Sequence, residues 1–216
     1  MLKKILLLIS FIVLIVAGAY LYRLSEKKNV LNFPTSTNHP TIRKSAEQVA
    51  DSLKLFLNKH PQYNQNIVFL ADMKIVSGKN RFFVYSYAEN KIIDKGLVAH
   101  GAGSDMVDEE GNIAEGYLAF GNASNSLRTS LGKYAVGSSY EGQFGKAYLL
   151  YDLDTSNSNA LARNIVLHAY KTVPENEQNR PIVRSYGCPM VSPAFFSRLG
   201  KIIDTSSKKI LLYIYY

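Results

Sequence analysis

Short segments rich in tyrosine and β-branched residues, separated by glycine and serine, make up most of the chain from Asn66 onward. Such segments are typical of β-strands. Residues 81–87 alternate in polarity, Glu89-Asn90 resembles a turn, and residues 91–100 form another such segment, which together predict a hairpin. Strands are predicted over residues 67–73, 81–87, 91–100, 116–120, 133–138, 147–152, 164–168 and 209–216. The chain is therefore expected to fold as a mostly β domain with flanking helices (α+β).

Two segments show helical rather than strand periodicity. Ser45 and Gln48 form a capping-box pattern, and the apolar residues that follow recur at helical spacing up to a His-Pro pair. Ser192 as N-cap and Pro193 at the first helical position begin the second segment. We expect each helix to bury one face.

The N-terminal residues have the pattern of an export signal. Lys3 and Lys4 precede an almost unbroken apolar run from residue 5 to residue 22. Residues 1–22 are either a cleaved secretory signal peptide, with Ala17-Gly18-Ala19 as the cleavage pattern, or a membrane anchor. In both cases the lysines stay cytoplasmic and the remainder is exported, to the periplasm or the outer face of the cytoplasmic membrane.

The rest of the chain divides into two parts. Residues 23–62 combine a polar tether with the first helix, and residues 63–216 are long enough for one domain with its own core. The net charge of +8 is spread without long lysine or arginine blocks, which suits an anionic envelope polymer or a membrane face, and suits simple solubility equally well. No nucleic-acid-binding or metal-ligand pattern is present, and contact with the membrane is expected only through the N-terminal segment.

Cys188 is the only cysteine, so it cannot form a disulfide within the chain. It is an intermolecular link, a buried inert side chain or a reactive nucleophile. Gly187 before it permits a tight turn that brings backbone N–H groups towards a substrate carbonyl. His168 ends an apolar segment, from which its ring can project into a cleft as a base or pack as a structural residue.

The spacing of these residues resembles a known family. His168, sixteen intervening residues and Ser185-Tyr186-Gly187-Cys188-Pro189 are similar to the signature of L,D-transpeptidase (YkuD-like) catalytic domains, in the branch with Ser-x-Gly-Cys-Pro. Further blocks of that branch are matched in order between residues 80 and 200. They are Val98-Ala-His100-Gly, Phe120-Gly-Asn122, the segment from Ser126 to Tyr134, and Arg163-Asn-Ile-Val-Leu-His168-Ala.

The resemblance implies a β-sandwich or barrel and a cysteine acyltransferase that acts on peptidoglycan stem peptides of the cell wall. His168 would deprotonate Cys188, and the thiolate would attack a stem tetrapeptide, release D-alanine and form a thioester that an acceptor amine resolves. Backbone N–H groups of Tyr186, Gly187 and Cys188 would form the oxyanion hole, and Ser185 would steady the loop or contact His168. The resemblance also implies covalent inhibition by carbapenems and no metal or organic cofactor.

Five further residues are candidates for substrate binding, each with a structural alternative. Arg163 and Arg184 would hold a substrate carboxylate, or are ordinary surface arginines. His100 would supply a second imidazole, or has a structural role at a strand end. Ser130 and Tyr134 would line the cleft, or pack at the edge of the core.

One position departs from the wider family, which has histidine where this chain has Tyr186. This departure leaves two alternatives beside the transpeptidase. An L,D-carboxypeptidase would use the same thioester with water as acceptor, and a non-catalytic cell-wall-binding module would keep the fold without turnover.

Overall fold

The computed structural model describes residues 44–104, 120–143 and 145–216. The predicted export segment 1–22, the tether up to residue 43 and all but the last residue of the strand predicted over 116–120 lie outside these residues. In the described part, no helix is both long and apolar enough to cross a membrane.

In the described residues, nine strands form one sheet, and two helices flank it. The spatial order is β3-β2-β1-β9-β5-β6-β7-β8-β4, and only the pairs β1–β9 and β7–β8 are parallel. The predicted mostly β architecture with flanking helices is confirmed. The strands are β1 (Tyr63–Asp72), β2 (Phe82–Ser86), β3 (Lys91–Gly96), β4 (Val98–Ala99), β5 (Gly132–Gly142), β6 (Gly145–Asp152), β7 (Val166–Ala169), β8 (Met190–Val191) and β9 (Lys209–Tyr215).

The predicted hairpin is present as β2 and β3, with Asn90 in its turn at a φ of 52°. The strand predicted over 91–100, however, divides at Leu97. Its first part pairs with β2 at one end of the sheet, and its second part pairs with β8 at the other end. The break at Leu97 arises because the two parts pair with different strands, and the local alternation of polar and apolar residues does not indicate this.

The one-residue connection at Leu97 also constrains how the sheet curls. Since β3 and β4 are joined by this residue alone, the Cα atoms of Gly96 and Val98 lie within about 7 Å of each other. The sheet must therefore curl until its two ends nearly meet. No pairing of β3 with β4 closes it among the described strands, so the expected sandwich or barrel takes the form of a curled, open sheet.

Helix α1 (Ala46–Lys59) packs on one face of the sheet. The predicted capping box is formed, because Ser45 Oγ accepts from Gln48 N and Gln48 Oε1 accepts from Ser45 N. Its buried face contacts side chains of three neighbouring strands. The residues in this contact are Val49, Ala50, Leu53 and Leu57 on the helix and Val68, Leu70, Tyr85 and Leu211 on the sheet.

Helix α2 (Pro193–Thr205) covers the opposite face, onto which Phe69 and Ala71 of β1 project. Its predicted N-cap is also formed, because Ser192 Oγ accepts from Phe195 N at 3.1 Å. Strands from both ends of the curled sheet contribute to the core around this helix. Since α2 follows β8 directly, this core anchors the strand that comes two residues after Cys188.

Candidate active site

Cys188 lies in a tight turn immediately before β8. Gly187 has a φ of 120°, a conformation that side chains with a Cβ rarely adopt. Ser185 Oγ accepts from Gly187 N at 3.0 Å, which stabilises the turn. The main chain of Ser185 pairs with the segment from His100 to Ala102, through Ser185 N to His100 O at 2.8 Å and Ala102 N to Ser185 O at 2.7 Å. The predicted tight turn is therefore present and fastened on both sides.

His168 lies on β7, the parallel neighbour of β8. The sulfur of Cys188 lies over the start of the same strand, 3.5 Å from Val166 N and 3.6 Å from Asn164 O. Cys188 and His168 both line one cavity of about 310 Å³. The two residues that the sequence proposed as nucleophile and base therefore converge on one space.

The orientation of the His168 ring is fixed by the main chain. Its Nδ1 lies 3.0 Å from the carbonyl oxygen of Ala169, which can only accept a hydrogen bond. Nδ1 must therefore carry the proton, which leaves Nε2 as the basic nitrogen of the neutral ring. A backbone carbonyl, and not an acidic side chain, therefore orients the ring.

Burial favours the uncharged form of both groups. Desolvation lowers the pKa of His168, and the hydrogen bond to Ala169 opposes this only in part. Desolvation also raises the pKa of the half-buried Cys188 thiol, against smaller opposite effects of Val166 N–H and the Arg163 cation. Both shifts therefore favour the neutral thiol and the neutral imidazole over a thiolate–imidazolium pair.

The backbone donors of the turn are not equivalent. Gly187 N–H already donates to Ser185 Oγ. Tyr186 N–H and Cys188 N–H donate to no acceptor within the described residues. Of the three amides expected from the resemblance, these two are the ones available to a substrate oxygen.

The remaining cavity wall is mostly apolar. Tyr186 is 77% exposed at its mouth, and Arg184 is exposed beside it without an ion pair in the described part of the chain. Sequence reasoning missed three other lining residues, Tyr170, Val183 and Met190. Tyr170 follows His168 by two positions, the period at which side chains of an extended segment share a side. Val183 and Met190 reach the cavity through tertiary contacts that the sequence pattern does not signal.

The connection from β7 to β8, which carries part of this wall, is tied to the turn between β1 and β2. Ile182 N donates to Ser77 Oγ at 3.1 Å, and Gln178 N donates to Gly78 O at 2.8 Å. A Cβ on Gly78 would come within 2.3 Å of a backbone oxygen of this connection. The close approach explains why glycine is needed there, and it holds the wall in place.

The other predicted binding residues do not line the cavity. His100 is buried, and its Nδ1 contacts the guanidinium of Arg81. Ser130 and Tyr134 are fully buried, and Tyr134 Oη donates to the Ser130 carbonyl at 2.8 Å. Arg163 contacts the loop of residues 121–130. These placements agree with the structural alternative for His100, Ser130 and Tyr134.

Among the described residues, no group of three or more histidine, cysteine, aspartate or glutamate side chains is arranged to hold a metal ion.

Several solved structures match the chain at low sequence identity. An L,D-transpeptidase from Xylanimonas cellulosilytica has 14% identity and a TM-score of 0.35. The helical cell shape determining protein Pgp2 from Campylobacter jejuni has 15% and 0.43, and the LD transpeptidase LdtMt1 in complex with imipenem has 11% and 0.39. Each match covers 69% of this chain but only 60%, 47% and 59% of the respective structure.

No curated protein matches the chain. The family model of the L,D-transpeptidase catalytic domain, however, matches residues 40–215, a range that includes α1, all nine strands and both His168 and Cys188. The family predicted from the sequence is thus confirmed, and this protein belongs to the L,D-transpeptidase catalytic domain family.

Proposed function

We propose that the protein is an exported peptidoglycan L,D-transpeptidase that transfers a stem-peptide acyl group through a thioester on Cys188. The observation that carries this proposal is the shared cavity of Cys188 and His168, with Nδ1 of His168 bonded to the Ala169 carbonyl. A cysteine, an oriented base and free backbone N–H donors are the components that covalent acyl transfer requires.

In the first half-reaction, Nε2 of His168 takes the thiol proton as Sγ attacks the carbonyl between the L- and D-centres of a stem tetrapeptide. Tyr186 N–H and Cys188 N–H stabilise the oxyanion. The C–N bond then breaks, the imidazolium gives its proton to the leaving D-alanine, and the thioester remains. In the second half-reaction an acceptor amine attacks the thioester, His168 takes the amine proton, and the proton returns to the departing sulfur.

The neutral resting pair suits this sequence of proton transfers. A raised thiol pKa and a lowered imidazole pKa both disfavour the thiolate before substrate binds. The thiol is deprotonated during the attack, by general base catalysis. A carbapenem, whose strained lactam carbonyl requires the same attack, is expected to acylate Cys188.

Of the two arginines proposed for substrate binding, Arg184 is better placed. It is exposed at the cavity and has no ion pair in the described part of the chain, so its guanidinium can take a stem-peptide carboxylate. Tyr186, Val183 and Met190 then provide apolar contacts for the peptide backbone. We place the catalytic domain in the periplasm or on the outer face of the cytoplasmic membrane, on the strength of the N-terminal apolar run.

The test is incubation of the full-length chain in detergent with a purified disaccharide-tetrapeptide, followed by mass spectrometry. We expect crosslinked dimer, released D-alanine and a thioester on Cys188, all of which are absent in Cys188→Ala. Tripeptide as the sole product would make the protein an L,D-carboxypeptidase. Retention of substrate with neither adduct nor turnover would make it a wall-binding module.

A further inference from the structure

Arg163 is engaged by the protein itself. Its Nη1 donates to Gly121 O at 3.2 Å and to Ser130 Oγ at 2.8 Å. Its Nη2 donates to Arg128 O at 2.7 Å and to Ser126 Oγ at 3.4 Å. Both hydrogens of each terminal nitrogen are thereby used, so Arg163 cannot offer a substrate carboxylate the two parallel N–H groups of a bidentate pair.

The loop of residues 121–130, held in this way, lies directly against Gly187. A Cβ placed on Gly187 would lie 2.9 Å from Arg128 O and 3.1 Å from Nη2 of Arg163. The carbonyl that Arg163 holds is thus also the group that contacts the turn before Cys188. Movement of this carbonyl would displace the turn or release it.

A second contact from the same loop fastens the turn. Thr129 Oγ1 donates to Gly187 O at 3.3 Å and accepts from Gly101 N at 2.8 Å. Gly101 in turn forms a β-bridge with Ser185. The carbonyl of Gly187, and with it the peptide that contains Cys188 N–H, is therefore held by the residue next to Arg128.

We propose that Arg163 and Thr129 are positioning residues for the nucleophile turn, which keep Tyr186 N–H and Cys188 N–H aimed at the acyl carbonyl. This inference rests on the proposed acyl-transfer function and assigns it residues outside the cavity. It replaces the substrate-carboxylate role that the sequence suggested for Arg163.

The charge of Arg163 has a separate effect, since the cation lowers the pKa of the Cys188 thiol against the effect of burial. An experiment must therefore change the hydrogen bonds without changing the charge. Arg163→Lys keeps the charge but loses the planar fork. Thr129→Val removes the hydroxyl without altering any charge, and Thr129→Ser retains it.

The loop keeps other attachments in these variants. Gly121 N donates to Thr129 O at 3.1 Å, Gly103 N to Leu127 O at 3.2 Å, and the Tyr134 hydroxyl to Ser130 O. We therefore expect both variants to fold, but with the turn before Cys188 held by fewer hydrogen bonds. Thr129→Ser is the matched control, and Lys201→Gln, on the exposed side of α2 and outside the cavity, controls for an unrelated surface change.

Two reagents separate thiol reactivity from carbonyl activation in the full-length chain. Iodoacetamide alkylates a thiolate without an oxyanion intermediate, whereas imipenem must pass through one. We expect Arg163→Lys and Thr129→Val to alkylate within about 2-fold of the parent but to be acylated by imipenem about 10- to 100-fold more slowly. Thr129→Ser and Lys201→Gln should be acylated at close to the parent rate.

Equal acylation of the parent, Arg163→Lys and Thr129→Val would overturn the inference, as would a parallel fall in alkylation and acylation. If circular dichroism shows that Arg163→Lys does not fold, the comparison of Thr129→Val with Thr129→Ser decides. If the parent chain is alkylated but is acylated by neither imipenem nor the tetrapeptide, the proposed function fails, and the inference fails with it.

Discussion

The centre of the sheet and its β7–β8 end are built differently. The central strands β1, β9 and β5 contain 10, 7 and 11 residues, whereas β7 and β8 contain only 4 and 2. The centre is covered by apolar side chains of α1 and α2. Around the short strands, by contrast, polar groups are buried, among them His100, Thr129, Ser130, His168 and Ser185.

The central strands therefore contribute mainly to folding stability, and the short strands β7 and β8 mainly position the candidate site. Long central strands bury apolar surface on both faces, and such burial contributes most of the folding free energy. At the short strands, the main-chain carbonyl of Ala169 orients the His168 ring, and the side-chain hydroxyl of Ser185 holds Gly187 N–H. Substitutions in the central strands should therefore change mainly the free energy of unfolding, whereas substitutions around β7 and β8 should change mainly the rate of the reaction.

The largest expected effect is on the chemistry and comes from Cys188→Ser. Replacement of the thiol by a far less nucleophilic hydroxyl should lower the rate of crosslinking by about 10³-fold or more. The folding free energy should change by less than about 1.5 kcal/mol, because the side chains are similar in size. Product analysis by mass spectrometry and urea unfolding followed by circular dichroism measure the two effects. A variant that still crosslinks would remove Cys188 from the mechanism.

Leu212→Ala in β9 should have the opposite pattern, with a large effect on stability and none on the reaction rate. Leu212 is fully buried between β1 and β5, so its truncation should lower the free energy of unfolding by about 2–5 kcal/mol. The rate of acylation by imipenem per folded molecule should not change, since Leu212 does not line the cavity and β5 and β6 lie between β9 and β7. Leu55→Ala is the control, because Leu55 is 65% exposed on α1 and its loss should cost about 0.5 kcal/mol or less. A large fall in the acylation rate of folded Leu212→Ala would show that the two regions are coupled.

The pH dependence of acylation and alkylation tests the protonation states of His168 and Cys188. Because the pKa of His168 is lowered, its neutral form, which accepts a proton, should persist below the ordinary histidine value of about 6.5. Because the pKa of Cys188 is raised, its thiolate should form only at high pH. Acylation by imipenem should therefore reach its plateau near neutral pH, while alkylation by iodoacetamide should still be rising above about pH 8.5. Alkylation that is already complete at neutral pH would instead indicate a preformed thiolate–imidazolium pair.

The same division explains how much the sequence predicted. The long strands and both helices, with their caps at Ser45 and Ser192, follow from local periodicity and were confirmed. β8 is too short to show a period, and the break at Leu97 depends on which strands lie on either side. In the site, the pairing of Cys188 with His168 followed from the family spacing. The engagement of Arg163 by a loop 33 to 42 residues away in sequence could not, because it depends on tertiary hydrogen bonds.

The smallest expected effect is at the start of α1. This helix packs on the same sheet as the site but does not line the cavity. Ser45→Ala removes the side-chain acceptor for Gln48 N and should lower the free energy of unfolding by about 1 kcal/mol. Ser52→Ala, on an exposed position within the same helix, is the matched control. It removes the hydrogen bond from Ser52 Oγ to Val49 O at 2.6 Å, but the higher helix propensity of alanine offsets this loss, so the free energy of unfolding should stay about the same. Acylation by imipenem should be unchanged in both, since α1 contacts the sheet on Val68, Leu70 and Leu211 and none of these lines the cavity. A loss of acylation in Ser45→Ala alone would mean that α1 supports the active site as well as the fold.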